Sequence, residues 1–239
     1  MSGRRRPPTA AVAVAAVVLA AAAAGFLLQR LTAPEQSTLR PVPPAPEAAL
    51  AGTAPAPASP PARDPIPQRL PDFSLPDLGG TPHRLSDWSG RTLVINFWAT
   101  WCEPCRREIP LLEALQRENS GKNIEIVGIA VDHPDSVQKT VKDLKIGYPV
   151  LVGEKGGLAA VSAFGMDTVL PFTVFADPQG RIVTLKVGEL HRDEATFILA
   201  RLADLAAGRL DLEAARGRID DEIRRLAVVR AASAGSTAK

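Results

Sequence analysis

Two cysteines separated by two residues constrain this chain most, because they stand where a strand should pass into a helix. They belong to the segment Trp-Cys-Glu-Pro-Cys at positions 101–105. Before it, Arg91–Phe97 is a short run rich in β-formers and predicts a buried strand. After it, Glu103–Glu118 has apolar residues at helical spacing and predicts a helix. The chain has only these 2 cysteines, which excludes a disulfide-rich scaffold and a four-cysteine metal site.

The position of the pair predicts redox chemistry of the sulfurs. Cys102 would stand at the helix N-terminus, where unpaired N–H groups and the helix dipole favour a thiolate. Such a thiolate can attack another disulfide, and Cys105 can then resolve the mixed disulfide. Two simpler interpretations stay open. One is an inert disulfide of an exported protein. The other is half of a zinc site, for which only His83, His133 and His191 could add histidine ligands.

The other predicted elements place the pair in one α/β domain over residues 72–207. Further strands are predicted at Ile124–Val131, Tyr148–Val152, Phe172–Ala176 and Ile182–Val187, and helices at Asp135–Lys145, Gly157–Phe164 and Asp193–Leu205, the last capped by Asp193. The last two strands flank the turn sequence Asp-Pro-Gln-Gly and should form a hairpin. This order predicts a mixed central sheet with helices on both faces.

The N-terminal part predicts export and attachment to a membrane. A basic N-terminus at 1–9 precedes an apolar run from Ala10 to Leu28, about 28 Å long as a helix and so close to the thickness of a bilayer core. Arginines on the short side favour a cytoplasmic N-terminus. We therefore expect a transmembrane anchor at 10–28, with a cleavable signal peptide as the alternative.

Two further segments flank the predicted domain. Residues 29–71 hold 12 of the 22 prolines and predict an extended linker rich in proline and alanine. Residues 208–239 predict a C-terminal extension, with a helix packed on the same domain or, as the alternative, a helix that docks a partner. The net charge of +2 gives no reason to expect nucleic acid.

The residues around the cysteines resemble a known family. Positions 96–110 are Asn-Phe-Trp-Ala-Thr-Trp-Cys-Glu-Pro-Cys-Arg-Arg-Glu-Ile-Pro, and the likeness continues through Phe-Ser-Leu-Pro-Asp at 73–77 and Leu-Pro-Phe-Thr-Val-Phe-Ala-Asp at 170–177. These segments resemble the TlpA/ResA-like family of membrane-anchored, thioredoxin-fold thiol–disulfide oxidoreductases. The resemblance implies a thioredoxin-like fold whose only cofactor is the redox-active Cys102–Cys105 disulfide, without a metal.

The resemblance also implies roles for neighbouring residues. In that family the proline matching Pro171 is cis and faces the disulfide, so Leu170 would offer its backbone to a substrate strand. Asn96 stands where thioredoxins proper carry a buried aspartate. Glu108, one helical turn after the second cysteine, would tune the cysteines and shuttle protons. The simpler interpretation of Glu108 is a solvated helix glutamate.

The three residues beside and between the cysteines complete the predicted site. The charge of Glu103 should disfavour a thiolate and raise the pKa of the cysteines. Pro104 completes the Cys-x-x-Cys segment, and Trp101 should serve as surface cover. The predicted catalytic residues are thus Cys102, Cys105 and Glu108.

These features predict an exported thiol–disulfide oxidoreductase that reduces disulfides of periplasmic proteins. Candidate substrates are apocytochrome c and proteins that take part in metal-site assembly. Its predicted location is the inner (cytoplasmic) membrane, as a single-pass protein whose catalytic domain faces the periplasm. The resemblance implies a membrane electron donor of the DsbD/CcdA type. Three alternatives stay open: a thiol oxidant of the DsbA type, a non-catalytic chaperone that binds copper or haem apoproteins, and a structural domain whose disulfide never turns over.

Overall fold

The cysteine pair follows the central strand of a five-stranded sheet. The structure, a computed structural model, describes residues 66–167 and 169–236. The strands are β1 (Ser74–Pro76), β2 (Pro82–Arg84), β3 (Thr92–Trp98), β4 (Ile124–Ala130), β5 (Val150–Val152), β6 (Phe172–Ala176) and β7 (Ile182–Val187). The α-helices are α1 (Glu103–Glu118), α2 (Pro134–Leu144), α3 (Glu154–Ala163), α4 (Arg192–Ala206) and α5 (Leu212–Ser236).

The sheet is mixed, with strand order β5-β4-β3-β6-β7. β3, β4 and β5 are parallel, whereas β6 runs antiparallel to β3 and pairs Phe172 with Phe97. The carboxyl end of β3 therefore lies beside the start of β6. This arrangement brings the cysteine segment and the segment before β6 to the same edge of the sheet.

Alternation along the strands divides the core into two layers. Leu93, Ile95 and Phe97 of β3 point to one face, where they pack with residues of β1 and α3. Val94 and Trp98 point to the other, where α1, α2, α4 and α5 supply the covering side chains. The predicted mixed sheet with helices on both faces is confirmed.

Several boundaries differ from those predicted. The short hairpin of β1 and β2 was not predicted, because strands of 3 residues that contain prolines carry almost no periodic signal. α3 begins at Glu154, three residues before its predicted start. α4 begins at Arg192 with His191 as its N-cap, so Asp193 is not the cap but lies in the first turn.

The described residues just before the predicted domain already contact it. Ile182 donates its N–H to the Gln68 carbonyl at 2.9 Å, and the Leu70 N–H donates to the Gly180 carbonyl at 2.9 Å. These bonds satisfy backbone groups at the edge formed by β7. The contacts of the domain thus include described residues that precede residue 72.

The C-terminal helix α5 packs on the same domain. Ala215 and Ile219 are fully buried in the core layer that contains α1 and α4. Arg216 donates to the Ile182 carbonyl of β7 at 2.6 Å. Within the described part of the chain, none of the helices is long and apolar enough to cross a membrane. The predicted N-terminus at 1–9, the span at 10–28 and linker residues 29–65 lie outside that part.

Candidate active site

The two cysteines form a disulfide at the start of α1. The Sγ atoms are 1.97 Å apart and the Cα atoms 5.3 Å apart. Cys102 is the N-cap residue of the helix, and its sulfur accepts the N–H of Cys105 at 3.3 Å. The sequence places Pro104 in the first turn, where the missing N–H costs no hydrogen bond. Cys102 keeps 5% of its surface exposed and Cys105 none, so an incoming reactant meets Cys102 first.

Glu108 lies on the buried face of α1, one turn beyond Cys105, and is only 1% exposed. Its Oε1 accepts the Asn96 Nδ2–H at 2.7 Å, and its Oε2 accepts the Leu190 N–H at 2.7 Å. The side chain is therefore fixed from both sides. The interpretation of Glu108 as a solvated helix residue does not fit this burial.

Burial raises the pKa of Glu108 to about 7, from an ordinary value of 4.5. The hydrogen bonds from Leu190 and Asn96 oppose this rise because they favour the carboxylate. The charge of Glu189 raises the pKa further and that of Lys186 lowers it. Glu108 can thus be populated both as an acid and as a base near neutral pH.

One hydrogen-bonding atom of Asn96, Oδ1, is unused at this site. Its Nδ2 donates to Thr173 Oγ1 at 3.0 Å as well as to Glu108, whereas its Oδ1 is buried without a partner among the described residues. A half-turn of the amide would bring Oδ1 to Glu108, where it could accept the proton of the neutral carboxyl. The Thr173 hydroxyl can serve either orientation, because a hydroxyl both donates and accepts.

The segment before β6 has the backbone geometry that the resemblance implies. The Leu170–Pro171 peptide bond is cis. Because Phe172 pairs with Phe97 at the end of β3, Pro171 lies at the sheet edge from which the cysteine segment leaves. The Pro171 carbonyl accepts the Gly188 N–H at 2.8 Å, which ties this segment to the end of β7.

The surface beside the disulfide combines an aromatic side chain with a line of charges. Trp101 is 71% exposed. Arg107 bridges two carboxylates, donating to Glu189 at 2.7 Å and to Glu103 at 3.2 Å. The hydrogen bond to Glu189, followed by the charges of both carboxylates, raises the pKa of Arg107. The charge of Glu103 is thus partly compensated before it acts on the cysteines.

Thr173, Lys186, Glu189 and Leu190 are site residues that the sequence analysis missed. Thr173 could have been found, since it is the one polar residue of the buried strand β6 and pairs in register with Asn96. Leu190 acts through its backbone N–H, which no residue type reveals. Among residues 66–167 and 169–236, no group of His, Cys, Asp and Glu could hold a metal ion.

The fold and the site define a thioredoxin-fold protein with a Cys-x-x-Cys disulfide at a helix N-terminus. A family model described as the AhpC/TSA family matches residues 66–185. The chain therefore belongs to the AhpC/TSA family, and its relatives place it with the TlpA/ResA-like thiol–disulfide oxidoreductases.

Two curated relatives illustrate this likeness. The thiol–disulfide oxidoreductase ResA of Geobacillus thermodenitrificans is 31% identical over 125 residues, which is 52% of this chain and 70% of the relative. The thioredoxin-like protein YneN of Bacillus subtilis is 34% identical over 131 residues, which is 53% of this chain and 74% of the relative. The chain is accordingly a thiol–disulfide oxidoreductase.

Solved structures show the same fold. A secreted thiol–disulfide isomerase from Corynebacterium glutamicum matches with a TM-score of 0.52 and 28% identity, over 56% of this chain and 85% of that one. The dsbF protein of MTB, solved in mixed oxidised and reduced forms, matches with a TM-score of 0.51 and 27% identity, over 57% and 98%. The predicted thioredoxin-like fold is confirmed.

Proposed function

We propose that the protein is a membrane-tethered reductant of disulfides in exported proteins, with Cys102 as the attacking thiol, Cys105 as the resolving thiol and Glu108 as the group that handles the proton. The observation that carries the proposal is a disulfide at a helix N-terminus with a buried carboxyl group one helical turn from its fully buried cysteine, where burial raises the pKa of the carboxyl group to about 7.

The proposed cycle begins with both cysteines reduced. The Cys102 thiolate attacks one sulfur of the substrate disulfide, forms a mixed disulfide and expels the other sulfur as a thiolate, which takes a proton from water. Cys105 then gives its proton to the Glu108 carboxylate and attacks the Cys102 sulfur. This attack expels the second substrate sulfur as a thiolate, which also takes a proton from water. The substrate leaves as a dithiol with two electrons gained, and the Cys102–Cys105 disulfide remains.

The surroundings of Glu108 suit a group that must accept and return a proton. Asn96 can present its amide N–H to the carboxylate and, after a half-turn, its Oδ1 to the carboxylic acid. The proton taken from Cys105 returns when a dithiol of the membrane donor reduces the disulfide again. We place that donor in the DsbD/CcdA class, as the resemblance implies.

The charges around the pair favour a reductant over an oxidant of the DsbA type. Strong oxidants stabilise their reduced form through a thiolate of low pKa. Here Glu108 lies one helical turn from Cys105, and Glu103, whose charge Arg107 partly compensates, lies between the cysteines. Ionised carboxylates disfavour a nearby thiolate, and hence the reduced form. A lower reduction potential follows.

The roles of the two cysteines can be separated by trapping. The full-length Cys105→Ser variant should accumulate mixed disulfides with substrate proteins, and the Cys102→Ser variant should not. The parent couple should have a potential near that of thioredoxin, about −270 mV, rather than near that of DsbA, about −120 mV. Trapping by Cys102→Ser alone would reverse the roles, and a potential near the DsbA value would make the protein an oxidant.

The chaperone alternative makes a different prediction. A protein that only docks apoproteins should bind them as well after both cysteines lose their redox activity. We expect the Cys102→Ala/Cys105→Ala double variant to lose turnover and covalent capture together. Retained binding of a copper or haem apoprotein by that variant would favour the chaperone.

We further propose that residues 10–28 anchor the chain in the inner membrane and that residues 29–65 extend the domain into the periplasm, since Gln68 and Leu70 already bind the domain. The extension 208–239 follows the domain. The charge-free apolar run supports this arrangement. The full-length protein should stay in the membrane fraction through high-salt washing and should be cleaved by protease from the periplasmic side only. A soluble form that begins after residue 24 would show that the segment is a signal peptide.

A further inference from the structure

An arginine of the C-terminal extension reaches the start of α4. α4 has 15 residues, about 22 Å of helix, and α5 has 25, about 37 Å, so α5 can run back along the whole of α4. Near its end, Arg230 donates to both carboxylate oxygens of Asp193, at 2.9 and 3.0 Å, and also to Oε1 of Glu194. Glu194 is only 1% exposed, so its carboxylate is removed from water, whereas the Arg230 and Asp193 side chains remain 30% and 50% exposed.

The Glu194 carboxylate also holds the turn that precedes α4. Its Oε2 accepts the His191 N–H at 3.0 Å, which is one arm of a capping box. The neighbouring N–H in the chain, that of Leu190, donates to Glu108. The two adjacent N–H groups of this turn are therefore bound by two buried glutamates, one of them held by Arg230 and the other beside the disulfide.

Lys186 links the same parts from the side of the sheet. Its Nζ lies 3.7 Å from Glu194 Oε1 and donates to the carbonyls of Val187, at 2.9 Å, and Glu189, at 3.3 Å. The Glu189 carboxylate in turn accepts a hydrogen bond from Arg107 of α1. The turn between β7 and α4 is thus bound by cations from α1, β7 and α5.

We propose that Arg230 is a positioning residue for Glu108: by fixing Glu194 it keeps the turn before α4 in place and the Leu190 N–H on the Glu108 carboxylate. The inference rests on the proposed proton-handling role of Glu108. It also gives the C-terminal helix a part in the site, although the family match ends at residue 185.

Loss of Arg230 would leave Glu194 with Lys186 as its nearby cation. A buried carboxylate does not remain without a partner, so Glu194 should turn towards Lys186 and loosen its bond to His191. Lys186 would in turn be drawn from the carbonyls of Val187 and Glu189. Both movements weaken interactions that favour the ionised form of Glu108, namely the hydrogen bond from the Leu190 N–H and the attraction of the Lys186 charge. Both therefore raise the pKa of Glu108.

The remaining groups around Glu108 are unaffected by this change in the first instance. They are Asn96 of β3, Thr173 of β6, Glu189 in the turn after β7, Tyr148 before β5, and the disulfide on its own helix. None of them touches Arg230 in the described contacts. A change in the titration of Glu108 would therefore report on the Arg230–Glu194 pair.

The test is a carbon-13 NMR titration of the Glu108 carboxyl in the full oxidised chain, with Glu108→Gln to identify the signal. Arg230→Ala should raise the titration midpoint by about 0.5 to 1 pH unit, the equivalent of one ordinary hydrogen bond. Arg230→Lys keeps the charge but not the planar fork that binds Asp193 and Glu194 together, so its midpoint should lie between those of the parent and Arg230→Ala. If Arg230→Ala does not fold, Arg230→Gln keeps an N–H donor and should shift the midpoint in the same direction.

Arg224→Ala is the matched control, because Arg224 is exposed and pairs at 2.6 Å with Asp221 on its own helix. It should leave the midpoint unchanged. An unchanged or lowered midpoint in folded Arg230→Ala overturns the positioning role, as does an equal rise in the control. If the midpoint rises while the pH profile of reductase turnover does not follow it, positioning stands and the catalytic role of Glu108 fails.

Discussion

Replacing Glu108 by glutamine should change how the stability of the oxidised protein depends on pH. Folding raises the pKa of Glu108 from 4.5 to about 7, so the folded state binds the proton more tightly than the unfolded state. The stabilisation this gives is present in full below pH 4.5 and is lost as the pH rises through 7. At about 1.4 kcal/mol per pH unit, the loss is about 3 kcal/mol.

Glutamine removes the titrating group at nearly constant shape. Its Oε1 can accept the Leu190 N–H, and its Nε2 can donate to Asn96 Oδ1 after a half-turn of that amide, since Oδ1 has no other partner among the described residues. At pH 4.5 the variant and the parent should therefore have similar free energies of unfolding. At pH 8 we expect the variant to be more stable by about 3 kcal/mol, the full linkage, because the pKa of about 7 already includes the hydrogen bonds to the carboxylate.

Urea unfolding of the full oxidised chain at several values between pH 4.5 and pH 8 measures this difference directly. Other titrating groups contribute equally to both proteins and cancel. Glu118→Gln is the control, because Glu118 lies on the same helix but is half exposed in a surface pair with Arg192. If the difference between Glu108→Gln and the parent changes by less than about 0.5 kcal/mol over this range, burial does not set the titration of Glu108.

Three further predictions concern the surroundings of this site. Asn96→Asp places a second carboxyl within hydrogen-bonding distance of Glu108, so the pair should release its last proton above pH 7, as a titration of both carboxyl carbons by NMR will show. Gly128→Ala puts a Cβ 3.1 Å from each of two buried aromatic side chains and should cost about 1 to 3 kcal/mol in urea unfolding, whereas Gly217→Ala, on an open face of α5, should gain about 0.5 to 1 kcal/mol. Trp101→Ala should raise KM for a protein disulfide but not for a small aliphatic disulfide, with the free energy of unfolding within about 0.5 kcal/mol of the parent.

Sequence patterns predicted those parts of the molecule that depend on local order. The strand before the cysteines and the helix after them follow from apolar spacing, and the mixed sheet with helices on both faces follows from the order of the elements. The thioredoxin-like fold was implied by the resemblance. The burial of Glu108 was within reach because a glutamate one turn after Cys105 shares its helical face. The cis bond before Pro171 came only from the resemblance, since the residues themselves favour a trans proline.

What could not be predicted depends on contacts between distant parts of the chain. The N–H of Leu190 binds Glu108 across 82 positions, and a backbone group leaves no mark in the residue types. The N-cap of α4 fell on His191 because the buried Glu194, rather than Asp193, accepts the free N–H at the helix start. Nothing in the sequence distinguishes Arg230 from the other arginines of the C-terminal extension, and only the contacts of α5 with the start of α4 single it out.

Glu108 titrates near neutral pH because its hydrogen bonds offset part, but not all, of the effect of burial. Burial alone would keep the carboxyl neutral at all working pH values, which would prevent it from accepting a proton from Cys105. Hydrogen bonds alone would keep it ionised, which would prevent it from returning one. Neutral donors on two sides, Asn96 and Leu190, offset part of the burial without adding a full charge. The position of the turn between β7 and α4, which contains Leu190, therefore decides how much of the effect of burial is offset. Arg230 of the C-terminal helix α5 holds this turn in place.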